Sequence, residues 1–442
     1  CSIPRCEERG ISILQLRGVM GHIVSSASQW VDHFMNLQTL EPEKVNLYQL
    51  CANLLKPATA SMRCSFVELI AQKPQSPSWF ISHWWGEPVH DFVVCVEAHA
   101  RLRHLCEGSA YWVCAYANNQ WALDEEVTAD PAQTSFKKAM ALAQGTLSIL
   151  DAGGTSFTRI WCGFEIATTL GQGSQKLYDI STVLEDKSAV LITDGLTAED
   201  RAAGEAYGPD YEGGPRGHQS RREQLFPLAL AEKALAVQVE NGNASVPSDK
   251  THILNSIAGK PLADLDSPPL EMCQHYMEVN QALHGRFAAA LYRVALESQW
   301  AKMHGTLQPA LLQNPCSMLA LSFHECPALD ERSLAELFQA LPTALEQLEL
   351  DFTFCNFGNS SDAAVKKECG KRKAGKAKKK HETKTSGEDR AEFACLLGLD
   401  RLTQLVKLSM DFSRCWGVTA LDVLGSTAML KTLRHLCLKF NM

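Results

Sequence analysis

The 442-residue chain has no run approaching the roughly 18 consecutive apolar residues that a membrane-spanning helix requires, so no membrane partner is expected. It has no C-x-x-C pair, although it carries 16 cysteines. That absence removes the paired-ligand spacing of zinc ribbons and the dithiol redox motif. No G-x-x-x-x-G-K-[ST] loop occurs, which excludes a phosphate-binding loop of that type. Positive charge is scarce outside one run. The formal net charge is −8, and residues 366–384 hold ten Lys/Arg against two Glu, so that run is +8 and the rest of the chain −16. A body that acidic repels a phosphate backbone, and nucleic acid is not expected as a ligand. The start, CSIPRCEERG, has neither an initial Met nor a basic-then-apolar signal pattern, and the chain reads as a fragment of a larger soluble protein.

What is present is ordinary for a globular body, with 45% apolar and 21% charged residues. At this length two or three domains are expected. The cysteines are scattered, and Cys64, Cys95, Cys114, Cys162 and Cys395 have large apolar or aromatic neighbours. Free thiols used as small buried hydrophobes point to a reducing compartment, so the cytoplasm is the expected address. The lysine-rich run, KKECGKRKAGKAKKKHETK, reads first as a disordered, solvated insert at about 360–390, and second as a nuclear-import signal.

Along the chain, residues 1–77 read as a helical segment, with apolar residues recurring at three and four in ISILQLRGVMGHIVSSASQWVDHFMNL. Pro74 and Pro77 end that texture. From 78 to 195 strands alternate with helices. The strands are WFISHW, AYWVCAYA (110–117), TLSILD (146–151) and SAVLITD (188–194). The helices begin at Pro88, at Asp130-Pro131 and at GGTSFTRIWCGFEIATTLGQG. This alternation predicts an α/β fold, a parallel sheet with flanking helices and right-handed crossovers. Residues 196–305 read as a linker followed by helices. From 306 to 442 an L-x-[LM]-x-F skeleton repeats in LALSFHEC, LELDFTFC, LSMDFSRC and LCLKFNM, with starts 29, 60 and 28 residues apart. The 60 is one repeat plus the lysine-rich insert. A short strand, a Cys-containing turn and a helix such as SLAELFQAL is the pattern of leucine-rich repeats, which resemble this segment and imply a face for a protein partner.

In an open parallel sheet, ligands collect beyond the carboxyl ends of the strands. The first strand ends at Ser82-His83-Trp84-Trp85-Gly86, the second runs into Asn118-Asn119-Gln120, and the third ends at Asp151 before Gly153 and Gly154. Such a rim suits stacking on a flat ring and hydrogen bonding to a sugar or amide; the alternative is that the two tryptophans seal the sheet edge. In RIWCGFEI, Glu165 shares a helix face with Trp161 and Cys162. An apolar setting raises its pKa and suits acid/base work; the alternative is a surface glutamate paired with Arg159 or Lys176. A Cys162–His83 nucleophile pair has no orienting residue at a recognisable spacing. The histidines and cysteines of 83–106 do not reproduce a zinc pattern, so no metal is expected.

FISHWWG, SILD and RIWCGFEI together resemble the TIR domain family over about residues 79–194, and are similar to TIR-like proteins of unicellular algae that carry SHWWGE and RIWC elements. The resemblance implies a flavodoxin-like sheet, self-association and, in NAD-cleaving members, catalysis by the glutamate of the WC-x-x-E helix. By motif position that residue is Glu165, with Ser82, His83, Trp84, Asp151 and Trp161 lining the cleft and NAD entering as substrate rather than as a bound cofactor. The segment HWWGEPVHDF departs from the family's short acidic stretch. The implied protein is a signalling or interaction protein in which a TIR-like domain is coupled to partner-binding repeats, and the alternative is a non-catalytic scaffold.

Overall fold

The computed structural model describes residues 1–32, 39–123, 128–171, 173–207, 214–357, 398–415 and 430–440. The apolar run after Pro77 becomes a central strand of a six-stranded sheet with order β1-β3-β2-β4-β5-β6. Its strands are β1 (Ile11–Ser12), β2 (Trp79–Ser82), β3 (Ala110–Trp112), β4 (Gly145–Leu150), β5 (Leu177–Val183) and β6 (Ala189–Ile192). β3, β2, β4 and β5 run parallel. The two edges differ from the parallel sheet expected. β6 is antiparallel to β5, and β1, from the N-terminal segment, is antiparallel to β3. The reason at the β6 edge is loop length: a parallel crossover needs a dozen or more residues, whereas residues 184–188 make only a hairpin. Lys187 takes the left-handed conformation there, with φ 66°, and Leu184 N–H donates to Ser188 O at 2.8 Å.

Side chains alternate across the sheet as the pleat requires. Trp79, Ile81, Leu147 and Ile149 enter one core, with helices α1 (Ile13–Ser26) and α2 (Val89–Leu102). Phe80, Trp112, Leu150 and Ile180 face the other side, towards α3 (Ser135–Leu142) and α4 (Ile160–Leu170). Trp79, Phe80, Tyr111 and Trp112 are fully buried, and each such side chain contributes about 1.5–3 kcal/mol of burial. Asp130 caps a short turn, and Thr134 rather than Asp130 accepts from the first turn of α3. Gly145 starts β4 because a Cβ there would lie 2.5 Å from Leu177 O on the neighbouring strand.

The described residues of 196–305, which leave out 208–213, form a packed helical layer continuous with that second face. Its helices are α5 (Ala198–Tyr207), α6 (Gly214–Glu223), α7 (Leu228–Leu235), α8 (Pro247–Ile257), α9 (Gln274–Ser298) and α10 (Trp300–Leu312), the last running seven residues beyond 305. Phe287 of α9 meets Phe157 at 6.0 Å and Phe226 at 5.8 Å between ring centres. No helix among the described residues is long and apolar enough to cross a membrane.

The repeating C-terminal skeleton forms a second, four-stranded sheet, all parallel: β7 (Met318–Ser322), β8 (Gln347–Asp351), β9 (Lys407–Asp411) and β10 (His435–Lys439). Helix α11 (Glu331–Ala340) follows β7 and starts with a capping box between Asp330 and Ser333. The skeleton's phenylalanines stack in register: Phe323 on Phe352 at 5.8 Å, Phe352 on Phe412 at 5.0 Å, and Phe412 on Phe440 at 5.4 Å. Cys355 and Cys415 donate their S–H groups to Phe323 O at 3.0 Å and Phe352 O at 2.8 Å, one repeat back. Glu325, Phe354 and Arg414, each three residues past its strand, adopt positive φ of 54°, 63° and 57°. The lysine-rich insert lies outside the described residues.

Candidate functional site

At the end of β2 the strand's last residue, Ser82, is buried, and its hydroxyl meets Glu165 from α4. Glu165 is 5% exposed, and its Oε2 has no hydrogen-bond partner. Burial pushes its carboxyl up to about 8, with the Ser82 hydroxyl opposing part of that rise. Cys162, one turn earlier on α4, donates to His83 O at 3.8 Å, and burial raises its thiol well above the usual range. A thiol so held is a poor nucleophile, so the Cys162–His83 pairing lacks the thiolate it needs. Glu165 is paired with neither Arg159 nor Lys176, which bind Ser245 and two backbone carbonyls instead.

His83 is buried and packs on Phe92 at 4.9 Å. Its Nδ1 lies 3.3 Å from Glu87 Oε1, yet neither ring nitrogen makes a hydrogen bond. Burial lowers the imidazole to about 3. Glu87 is 3% exposed, and burial, then the charges of Asp151 and Asp91, push its carboxyl well up. The two groups are therefore a neutral pair rather than an ion pair: burial disfavours the charge on both, and the Asp151 and Asp91 carboxylates disfavour it further on Glu87. Sequence spacing offered one signal for Glu87, its place four residues after His83 in SHWWGE.

Beyond the carboxyl ends of β2, β4 and β5 lies a crevice of about 430 Å³, within the size of small-molecule sites. Trp84, Glu87, Asp91, Asp151, Gly153 and Thr182 are among its walls. The Trp84 indole lies back over Gly86, where any Cβ would fall on the ring. Trp85 does not share the crevice: its Nε1 donates to Cys114 Sγ at 3.0 Å and its ring meets Tyr48 at 5.5 Å. Asp151 shapes the crevice floor by accepting from Gly153 N, Thr155 N and Thr155 Oγ1 at 3.1, 2.7 and 2.8 Å.

The structure thus brings Trp84 and Asp151 to the crevice, with Ser82, His83 and Glu165 in the layer behind it. Trp161 is elsewhere. It stacks on Phe136 at 5.2 Å and donates to Asp249 of α8 at 3.0 Å, joining α4 to the helical layer. The second strand's amides are also spent locally: Asn118 accepts from Ser135 Oγ at 2.8 Å, and Gln120 donates to Ala115 O at 3.0 Å. The reason is that the chain turns helical at Cys114–Ala117 immediately after β3.

A second buried polar cluster sits inside the sheet. Asp179 of β5 binds His99 Nε2 at 3.1 Å and Arg103 through both oxygens at 2.7 and 2.9 Å, and His99 Nδ1 meets the Tyr111 hydroxyl at 2.8 Å. Burial alone would raise the Asp179 carboxyl, but the His99 hydrogen bond and the Arg103 charge hold it at about 2. With His99 and Asp179 fully enclosed, this cluster is structural. Among the described residues no group of three His, Cys, Asp or Glu is placed to hold a metal ion. No family model, curated protein or solved structure matches the chain.

Proposed function

We propose that the chain is a signalling or interaction protein in which a TIR-like α/β unit cleaves NAD and a leucine-rich-repeat-like sheet holds a protein partner. The observation that carries the catalytic half is the pair of carboxyls flanking the end of β2. Glu165 and Glu87 are both shielded and both raised, by burial first, with no cation among the causes to offset the rise. A carboxyl raised to about 8, as Glu165 is, and a second one raised by burial at Glu87, beside a crevice with an indole face, suit cleavage of a glycosidic bond to a flat cationic ring. Nicotinamide leaves with the bonding electron pair, and the ribose becomes an oxocarbenium-like cation that water then attacks. The positive ring and this cation favour the ionised form of a nearby carboxyl, so binding itself draws the proton from Glu165.

The partner half rests on the outward face of the four-stranded sheet. There Gln347, Lys407 and His435 form one row, and Asp351, Asp411 and Lys439 another, the β7 end of the face being covered by the helical layer. A second reading, a non-catalytic scaffold whose α/β unit self-associates, is favoured by one observation: Glu165 is absent from the crevice wall. Nicotinamide release from NAD by the concentrated chain, run beside Glu165→Gln and Glu87→Gln, separates them. Loss only in Glu165→Gln supports the motif assignment, and loss only in Glu87→Gln moves the acid to the crevice wall. No release from folded protein leaves the scaffold.

A further inference from the structure

β5 has a site at each end. Its carboxyl end borders the crevice, and the turn before its amino end borders a second cavity of about 340 Å³. This second cavity lies where the α/β sheet, the helical layer and the four-stranded sheet meet. Lys176 precedes β5, Asp194 follows β6, Arg216 and Glu223 come from α6, and Arg286 and Arg293 from α9. Its remaining wall is the outward side of β7 around Ala320. Small side chains, Ala282, Ala289 and Ala290 on α9, keep the space open.

The chemistry of the walls is lopsided. Four cationic side chains meet two carboxyls. Arg286 binds one of these, Asp194, at 2.9 Å. The other, Glu223, is buried, and its Oε1 already accepts from Thr193 N and Gln219 Nε2, both at 3.0 Å. Burial raises the Glu223 carboxyl, and the Arg222 charge opposes that rise. Glu297 holds Arg293 at 3.1 Å from outside the cavity. Arg216 Nη1 donates to Gln219 Oε1 at 3.1 Å, whereas its Nε, 3.5 Å from Glu349, is shielded from solvent and makes no hydrogen bond. A guanidinium offers five donors in a planar fork, which matches phosphate oxygens. The convergence of three such forks on an open cavity exceeds what one salt-bridged interface needs.

We propose that this junction cavity binds a small phosphate-bearing ligand through Arg216, Arg286 and Arg293, and that the ligand ties the α/β sheet to the four-stranded sheet. The site is separate from the NAD crevice and does not depend on cleavage there. Inorganic pyrophosphate and ADP are the probes, titrated calorimetrically into the full chain. Saturable binding is expected, with Arg216→Gln and Arg293→Gln each weakening it about ten- to a hundredfold, as loss of a charged hydrogen bond does. Ala320→Leu fills the cavity without touching an arginine and is expected to abolish binding while circular dichroism stays native. ADP binding tighter than pyrophosphate supports a nucleotide seated on the alanine wall, and equal binding supports a phosphate-only site. An unchanged affinity in the folded Arg216→Gln/Arg293→Gln double variant overturns the proposal. So does an absence of saturable binding by the folded wild-type chain.

Discussion

Glu165 makes the stability of this protein depend on pH in a direction opposite to that of an ordinary salt-bridged carboxylate. Its folded carboxyl titrates at about 8 against 4.5 for the free side chain. The folded state therefore holds the proton more tightly than the unfolded state. The contribution is fully present below pH 4.5, falls as pH rises, and is gone above about 8. At about 1.4 kcal/mol per pH unit, the whole interval is worth roughly 5 kcal/mol, and side-chain relaxation makes that a ceiling. Glu165→Gln keeps the shape and the Ser82 contact but cannot ionise. Urea denaturation of both proteins at pH 5, 6, 7 and 8 gives a difference in which the other titrating groups cancel. Glu87 and Glu223 share the upward direction, and His83 contributes only as pH falls below its ordinary range. The wild type is expected to lose roughly 4 kcal/mol relative to the variant between pH 5 and 8. Parallel pH profiles for the two proteins would refute the claim that Glu165 is buried and protonated.

Three further outcomes follow from the packing. Asp179→Asn strands Arg103 and His99 inside the sheet and should cost about 3–5 kcal/mol in chemical denaturation, a loss below about 1 kcal/mol being incompatible with the cluster described. Phe352→Ala opens the middle of the phenylalanine stack and should cost about 3–5 kcal/mol, with hydrogen exchange accelerating in β7–β9 before it does in β2 and β4. Cys106 is exposed and its thiol is lowered by the Ser109 hydroxyl, whereas Cys162 is enclosed, so iodoacetamide should label Cys106 at least about tenfold faster by mass spectrometry.

The parts of the fold written in local pattern were legible in the sequence. WFIS and TLSIL are short apolar runs between breakers, and both are strands of the sheet. The L-x-[LM]-x-F skeleton became four strands in register because identical spacing places identical side chains at identical heights. Leu177–Val183 escaped notice because LYDISTV carries Asp and Ser where a buried strand is expected to be apolar. Its aspartate is tolerated only because His99 and Arg103, about eighty residues away in sequence, close on it. The candidate site divides in the same way. Trp84 and Asp151 reached the crevice because strand ends fix them, while Trp161 and Trp85 were taken by helices whose position no local pattern encodes. Glu87 matters for the same non-local reason: its burial comes from the sheet, not from its neighbours in sequence.

The pairing of β1 with β3 has a consequence for the order of assembly. Ile11 must find Tyr111, and Ser12 must find Ala110, across a span that contains the whole of β2 and α2. On a ribosome adding about 5–20 residues per second, the first strand waits several seconds for its neighbour to emerge. A long apolar strand left open for that time would recruit other chains. This one is two residues long and is followed at once by a capped helix, so it offers a passing nascent chain almost nothing to pair with.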